Sequence, residues 1–384
     1  MRLKYSFFMR PPARFQLAIL FVICSSCALS AAQESKLAPA KRAQIEAAVS
    51  KFMASTHAAG IAVAVVENGE YAWSQGFGFA DLENNVPTSG HSLFRLASIS
   101  KSLTATAAME LWERGKLDLD APIQKYCPTF PAKEWPISTR QVLGHLAGIR
   151  YYKSESQDDS EFGNTKHFDD PIQAGLNFFK DEPLLTQPGT SFQYSTQGYA
   201  VVGCVIEGAS GEKYADFMRQ NIFAPAHMEQ TQVDDRFAII PYRAHFYQQD
   251  KSGTVLNADF LDSSYKIPGG GWLSSAEDVA RFEVAILNDK LIRRTTRDLM
   301  WTPLKPTDGK KDTYALGWHW EEQTDTTVAN AGHNGSQQGT STSFAIAPAQ
   351  QAGVVVLINM EHLKANDLAR ELLTIVAGAP EKKP

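Results

Sequence analysis

The stretch Phe94-Arg95-Leu96-Ala97-Ser98-Ile99-Ser100-Lys101 begins a run of small and apolar residues that predicts a helix ending near Gly115. Side chains three residues apart share one face of a helix, so the amine of Lys101 can reach the hydroxyl of Ser98. A serine becomes a strong nucleophile when a neighbouring group takes its proton, and a lysine can do so if burial or another cation lowers its pKa. Taken alone, this spacing is more typical of the polar face of an ordinary helix start.

The first 32 residues have the pattern of a secretory signal. Four basic residues precede an apolar run over 15–29, and small residues follow it. This run of about 15 residues is shorter than the roughly 20 that a spanning helix needs. We therefore expect a cleaved signal at 1–32 and a single periplasmic or secreted domain at 33–384. The alternative is an uncleaved signal that associates with a membrane.

Charge and cysteine content exclude several classes of protein. Without the four basic residues of the signal, 33 Lys and Arg face 42 Asp and Glu, a net charge of −9. No basic stripe remains for nucleic acid or an anionic membrane. Outside the signal only Cys127 and Cys204 remain, and we expect two buried thiols rather than one disulfide.

Signatures of several other chemistries are missing. The sequence has no Gly-x-Ser-x-Gly elbow of an α/β-hydrolase. None of the nine histidines forms His-x-His or His-Glu-x-x-His, and the two cysteines outside the predicted signal, Cys127 and Cys204, do not have metal-ligand spacing. Walker and dinucleotide glycine patterns are also missing, so we expect neither a metal nor a cofactor.

Strand and helix patterns predict an α+β fold. An amphipathic helix over 37–56 precedes a β-rich run at 60–66, and Asn68-Gly69 predicts a hairpin after it. Further strands are predicted at 314–320, 326–331, 341–347 and 353–359, before a closing helix at 363–376. The two ends would form one antiparallel sheet flanked by N- and C-terminal helices, in a lobe of about 37–115 and 313–378. A mostly helical lobe, about 116–312, would be inserted, with the site in the cleft between lobes.

Within the inserted region the patterns predict several local structures. They are a capped helix over 137–145, an exposed loop at 153–170, helices at 198–208 and 213–222, a flexible turn at 268–272, and a helix capped near Ser274-Ser275.

Two further stretches carry candidate site residues. Tyr194 stands at the start of an apolar helix, close to a reversal set by Pro188-Gly189. Nearer the C-terminus lies His333-Asn334-Gly335-Ser336, where a glycine would let a substrate approach the strand edge closely. By themselves these are more typical of a structural cap and a tight turn.

Together, Ser98-x-x-Lys101, Tyr194-x-Thr196 and His333-x-Gly335 resemble the motifs of the penicillin-binding-protein and serine β-lactamase superfamily. The order and rough spacing are similar to the class C branch, and within it to the mitochondrial β-lactamase-like serine protease group and its bacterial relatives. The resemblance covers about residues 40–375.

The resemblance implies acyl transfer in two steps. Ser98 would form an acyl-enzyme, and Lys101 and Tyr194 would share the proton transfers. Thr196 would order this network, while His333 and Gly335 would line the far wall. The backbone N–H groups of Ser98 and Ser336 would form the oxyanion hole.

Two departures from the family pattern bear on the substrate. His333 stands where β-lactamases carry a lysine, and histidine is mostly neutral near pH 7. Thr196 replaces an asparagine that can both donate and accept. Both changes favour a hydrolase of peptide, amide or ester bonds in a small-molecule or peptide substrate. The alternatives are a β-lactamase proper and an inactive member that binds peptides or self-assembles.

Overall fold

The computed structural model describes residues 36–152, 164–310 and 312–378. The predicted signal at 1–32 lies outside these residues, as does most of the predicted loop at 153–170. No helix within the described ranges is long and apolar enough to cross a membrane.

A seven-stranded sheet joins strands from the two ends of the chain. Its strands are β1 (Gly60–Glu67), β2 (Glu70–Asp81), β3 (Val86–Pro87), β9 (His319–Glu321), β10 (Asn330–Gln337), β11 (Thr340–Ala347) and β12 (Ala352–Ile358). All pairs are antiparallel, and the spatial order is β3-β2-β1-β12-β11-β10-β9. The predicted antiparallel sheet is thus confirmed, with β1 hydrogen-bonded to β12 at its centre.

The other strands are short. β4 (Phe94–Arg95), β5 (Gln232–Val233) and β8 (Trp272–Ser274) form a three-stranded sheet in the order β4-β8-β5, and β6 (Tyr247–Gln249) pairs with β7 (Val255–Asn257).

Helices at the two ends cover the large sheet, and most of the others belong to the inserted region. They are α1 (Pro39–Thr56), α2 (Ile99–Glu113), α3 (Thr139–Leu143), α4 (Pro171–Asn177), α5 (Thr196–Ser210), α6 (Tyr214–Met218), α7 (Ile267–Gly270), α8 (Ala276–Leu287), α9 (Arg294–Met300) and α10 (Ala365–Ala377). Single turns of 3₁₀ or π type occur at Ile123–Lys125, Arg219–Phe223, Ser264–Lys266 and Pro348–Gln350.

The unbroken apolar run of β1 reflects burial on both faces. Ile61, Val63 and Val65 join the core formed with α1 and α10. The alternate residues Ala62 and Ala64 join the larger core that contains α2 and α5. Successive side chains of a strand point to opposite faces, so a strand between two helical layers has no polar face. This placement sets α2, and with it Ser98, against the sheet.

Several local predictions are confirmed. Asn68 and Gly69 both have positive φ, 56° and 72°, as the hairpin turn between β1 and β2 requires. Ser138 caps α3 in a capping box with Gln141. Ser275 caps α8 by accepting from the Asp278 N–H.

Other predictions are wrong, and tertiary contacts explain why. The predicted turn at 268–272 is instead the buried helix α7 followed by β8, because α7 packs against α2 and α5. The predicted strand at 314–320 contains a turn at Gly317 (φ 79°), and only its end belongs to β9. Most of the predicted strand at 326–331 is irregular, since β10 begins at Asn330.

The prediction of two thiols is also wrong. Cys127 and Cys204 form a disulfide that links the loop after α2 to α5 across 77 residues of sequence. Both side chains are buried within the same core, which brings them into bonding distance.

Candidate active site

Ser98 lies in a turn that is fixed to the large sheet. Ala97 before it has a φ of 47°, in a region that residues with a side chain rarely adopt. The carbonyl of Leu96 accepts from the N–H of Ile99 at 3.2 Å and from Thr342 Oγ1 at 3.0 Å. Ser98 is partly exposed, and within the described residues its own N–H has no backbone acceptor. The serine thus lies on a strained turn at the N-terminus of α2, where solvent can reach it.

Lys101, one turn into α2, is completely buried beside this serine. Its Nζ lies 2.8 Å from Ser98 Oγ, 3.1 Å from Thr196 Oγ1 and 2.9 Å from the Gly269 carbonyl oxygen, all within hydrogen-bond distance. Burial lowers the pKa of Lys101 well below its usual value, and the nearby Lys266 ammonium lowers it further. The charged amine is therefore disfavoured in the folded protein.

The three contacts of Lys101 fit a neutral amine. A neutral amine has two N–H groups and one lone pair. The Gly269 carbonyl can only accept, and the Thr196 hydroxyl can accept the second N–H. The lone pair then remains for the hydroxyl proton of Ser98, as a general base requires.

Tyr194 approaches Ser98 from the other side. It precedes α5, whose N-cap Ser195 accepts from the Gly198 N–H. The Tyr194 hydroxyl donates to Ser98 Oγ at 3.0 Å. Burial raises the pKa of Tyr194. The phenol therefore stays protonated and serves as a hydrogen-bond donor at neutral pH.

Thr196 is brought into the same network, as the sequence motif implies. Its hydroxyl contacts Lys101, and its backbone and methyl group pack against Gly269 so closely that a Cβ there would lie 2.8 Å from the methyl carbon. Ser98, Lys101, Tyr194 and Thr196 thus form one connected cluster, and their catalytic roles stay predictions.

His333 differs from a substrate-binding lysine in its charge and in the availability of its side-chain nitrogens for a substrate. It is 4% exposed, and burial lowers its pKa well below the usual value, as do the neighbouring His319 and Lys101. Its Nδ1 lies 2.6 Å from the Asn334 carbonyl, which can only accept, so Nδ1 carries the proton. Nε2 then accepts from the Tyr314 hydroxyl at 3.0 Å. Both ring nitrogens are occupied within the protein, and the ring is neutral.

Gly335 is constrained by the protein itself rather than only by a substrate. A Cβ at this position would lie 2.4 Å from the Leu96 carbonyl oxygen and 3.0 Å from the Cβ of Ala97. Strand β10 therefore presses against the turn that carries Ser98. The sequence predicts that Gly335 leaves room for a substrate. The close contact with Leu96 is a separate reason for a glycine at this position.

Ser336 follows on the part of β10 that β9 does not cover. Pairing with β9 ends at Gly332, whereas pairing with β11 continues through Ser336 and Gln337. Ser336 is exposed, which is compatible with an edge that faces the cleft. Its part in an oxyanion hole stays a prediction.

Sequence reasoning missed three residues of this region. Gly269 and Lys266 lie in a stretch predicted as a flexible turn and its flank, with no local signal for contact with Lys101. Tyr314, which holds His333, was assigned to a strand. Among the described residues no three His, Cys, Asp or Glu side chains come together as metal ligands.

Known proteins resemble this chain in sequence and in fold. The pattern of the family described as Beta-lactamase matches residues 45–378. The chain is 31% identical over 416 residues to the human "Serine beta-lactamase-like protein LACTB, mitochondrial", covering 82% of this chain and 76% of that protein.

Two solved structures share the fold. The octameric penicillin-binding protein homologue from Pyrococcus abyssi superposes with a TM-score of 0.76 and 24% identity, covering 88% of this chain and 78% of that one. The D-amino acid amidase from Ochrobactrum anthropi SV3 gives a TM-score of 0.74 and 22% identity, covering 88% and 98%. With the family pattern spanning the sheet, α2 and α5, this chain belongs to the beta-lactamase family of serine hydrolase-like proteins.

Proposed function

We propose that this chain is a serine hydrolase that forms an acyl-enzyme at Ser98 and cleaves amide, peptide or ester bonds. The observation that carries the proposal is the approach of Lys101 Nζ (2.8 Å) and the Tyr194 hydroxyl (3.0 Å) to the same oxygen, Ser98 Oγ. A nucleophile flanked by a neutral base and a neutral donor is equipped for both halves of acyl transfer.

In the acylation step, Lys101 takes the hydroxyl proton while Ser98 Oγ attacks the substrate carbonyl carbon. The developing oxyanion is placed near the N–H of Ser98 at the start of α2, where the helix dipole favours negative charge. The tetrahedral species then collapses, the bond to the leaving group breaks, and Tyr194 donates its proton to that group. The proton held on Lys101 then passes to the Tyr194 phenolate, which regenerates the phenol and the neutral amine; both groups lie within hydrogen-bond distance of Ser98 Oγ.

In the second step water replaces the leaving group. Lys101, neutral again, takes a proton from the water as the water attacks the acyl carbon. The bond between the acyl carbon and Ser98 Oγ then breaks, and Lys101 returns the proton to Oγ, 2.8 Å away. The products are a free carboxylic acid and the original enzyme, and the cycle needs no cofactor.

The neutral His333 wall favours this function over that of a β-lactamase. A lysine at this position would offer a fixed cation to a substrate carboxylate, whereas His333 has no free N–H and no charge. We therefore propose substrates whose scissile group is an amide or ester without an adjacent carboxylate on the His333 side.

Labelling of the serine tests the proposal directly. Fluorophosphonate and fluorescent penicillin probes, followed by peptide mass spectrometry, should give an adduct on Ser98 that disappears in Ser98→Ala. Ser100→Ala is the matched control, because Ser100 Oγ lies buried in the same helix and has no hydrogen-bond partner in the described part of the chain. Absence of any Ser98 adduct in the wild-type protein would overturn the proposal in favour of an inactive binding or self-assembling member. Nitrocefin turnover comparable to that of amide and ester substrates would instead favour a β-lactamase.

We further propose that the domain works outside the cytoplasm. The signal pattern at 1–32 and the Cys127–Cys204 disulfide support this, because disulfides persist in oxidising compartments. The human relative is described as mitochondrial, so the destination needs its own test. N-terminal sequencing of protein from the periplasm or medium should find a chain that starts at residue 33. A chain that stays in the cytoplasm with its first residues intact would contradict this.

A further inference from the structure

His145 holds the segment that carries Tyr194, although it contacts none of the reacting atoms described above. It lies just after α3 with a φ of 58°. Its carbonyl accepts from the Gln193 N–H at 2.8 Å, and its Nδ1 accepts from the Ser195 N–H at 3.1 Å. One residue therefore binds the backbone on both sides of Tyr194.

The ring of His145 also supports the phenol ring. The two ring centres are 4.3 Å apart, with an angle of 46° between the planes. On its other side the His145 ring lies 4.5 Å from that of Tyr314. With 2% of its surface exposed, the imidazole fills the space behind Tyr194 and leaves the phenol little freedom to retreat from Ser98.

The hydrogen bond to Nδ1 and the burial of the ring fix the tautomer and the charge of the imidazole. Nδ1 must offer a lone pair to the Ser195 N–H, so the proton resides on Nε2, which has no hydrogen-bond partner among the residues that the structure describes. Burial keeps the pKa of His145 well below its usual value, and the nearby Lys101 contributes in the same direction. A neutral ring is required, because protonation at Nδ1 would remove the acceptor of a buried N–H.

A second contact from the same loop supports this arrangement. The Arg150 carbonyl accepts from Ser195 Oγ at 2.7 Å, five residues after His145. The loop thus contacts the segment before α5 through two carbonyls and one ring nitrogen.

We propose that His145 is a positioning residue that fixes the Tyr194 phenol against Ser98 and is needed for proton transfer to the leaving group. This inference rests on the proposed function. Its distinguishing consequence is that His145 acts only through Tyr194, so its loss should matter little once the phenol hydroxyl is gone.

A double-mutant cycle of His145→Asn and Tyr194→Phe tests this. Asparagine tolerates positive φ and removes the ring. Misplacement of a catalytic group by about 1 Å can cost about 100-fold in rate, so we expect His145→Asn to lower kcat about 100-fold. In the Tyr194→Phe background the same change should lower kcat less than about 3-fold, since coupled residues are not additive. Equal losses in both backgrounds, or no loss in the wild-type background, would overturn the proposal.

Controls separate positioning from folding and from the proposed function. His227→Asn is matched, because His227 also has positive φ (57°) and is exposed. It should leave kcat unchanged.

If His145→Asn does not fold, His145→Phe, which keeps an aromatic ring but loses the acceptor nitrogen, replaces it in the same double-mutant cycle. Hydrogen exchange at the Gln193 and Ser195 amides should accelerate in the folded variant, and unchanged exchange would count against the proposal. A wild-type protein without a Ser98 adduct would overturn the proposed function, whereas exchange reports on His145 independently.

Discussion

Replacing Gly335 by alanine should damage the site from the side of the sheet. The added Cβ would lie 2.4 Å from the Leu96 carbonyl oxygen. Ordinary contacts between carbon and oxygen are about 3.3–3.6 Å, so β10 and the turn must separate by about 1 Å. The oxygen cannot move freely, because it accepts from Ile99 and Thr342. The strain therefore reaches Ser98, which follows Leu96 by two residues.

The expected effect is both kinetic and thermodynamic. A shift of about 1 Å in a reacting group can cost about 100-fold, so kcat/KM should fall by about that factor. Overpacking of a well-filled site typically costs about 1–3 kcal/mol, so the free energy of unfolding should fall by a similar amount. Urea denaturation and steady-state kinetics on an ester substrate measure the two quantities.

A matched control is Gly198→Ala in α5, close to the same site. A Cβ there meets its nearest neighbour, a methyl of Val142, at 3.4 Å, an ordinary contact. Alanine is favoured over glycine within a helix by about 0.5–1 kcal/mol, so this variant should be as stable as wild type or more stable. If Gly335→Ala leaves stability unchanged and only raises KM for bulky substrates, our explanation is wrong, and the glycine serves substrate access instead.

Other changes test the electrostatics and the covalent link. Burial lowers the pKa of Lys266 to about 7, and this cation lowers the pKa of Lys101. The neutral amine is the active base, so Lys266→Gln should raise the pKa of Lys101 and move the acid limb of the kcat/KM profile to higher pH. Lys266→Arg should not move the limb upward, and an unmoved limb in Lys266→Gln would contradict us. Thr196→Val leaves a buried N–H of Lys101 unpaired and should cost about 1–3 kcal/mol in unfolding free energy, whereas Thr196→Ser should restore most of it. Removing the disulfide with Cys127→Ala and Cys204→Ala should lower the unfolding free energy by about 2–4 kcal/mol, and equal urea midpoints would refute this.

The proximity of Ser98 and Lys101 was predictable because it is local. Three residues on a helix fix the distance between two side chains wherever the helix packs. Tyr194 was assigned only through the motif resemblance, since nothing in its own neighbourhood places it against α2. The unbroken apolar runs of β1 and β12 likewise predicted the sheet, because strands that are buried on both faces are apolar throughout.

The remaining features depend on distant segments. The Gly269 carbonyl accepts a hydrogen bond from Lys101 because α7 packs on α2. No local sequence pattern at 268–272 predicts this packing. The strand predicted at 314–320 fails at Gly317, where a Cβ would lie 2.3 Å from the Cβ of Ala105. The hydrogen bond at His333 Nε2 likewise depends on a distant residue, Tyr314. Such contacts depend on how helices and strands pack against each other, and the secondary-structure propensities of single residues do not predict this packing.

The hydrogen bond from Thr342 to the Leu96 carbonyl joins positions 246 residues apart. Synthesis therefore makes Ser98, Lys101 and Tyr194 long before the strands that fix their turn. A nascent chain that has not reached β11 carries the reactive side chains on an unsupported loop. On the proposed function, hydrolytic activity should consequently appear only after β11 has joined the sheet, wherever the chain folds.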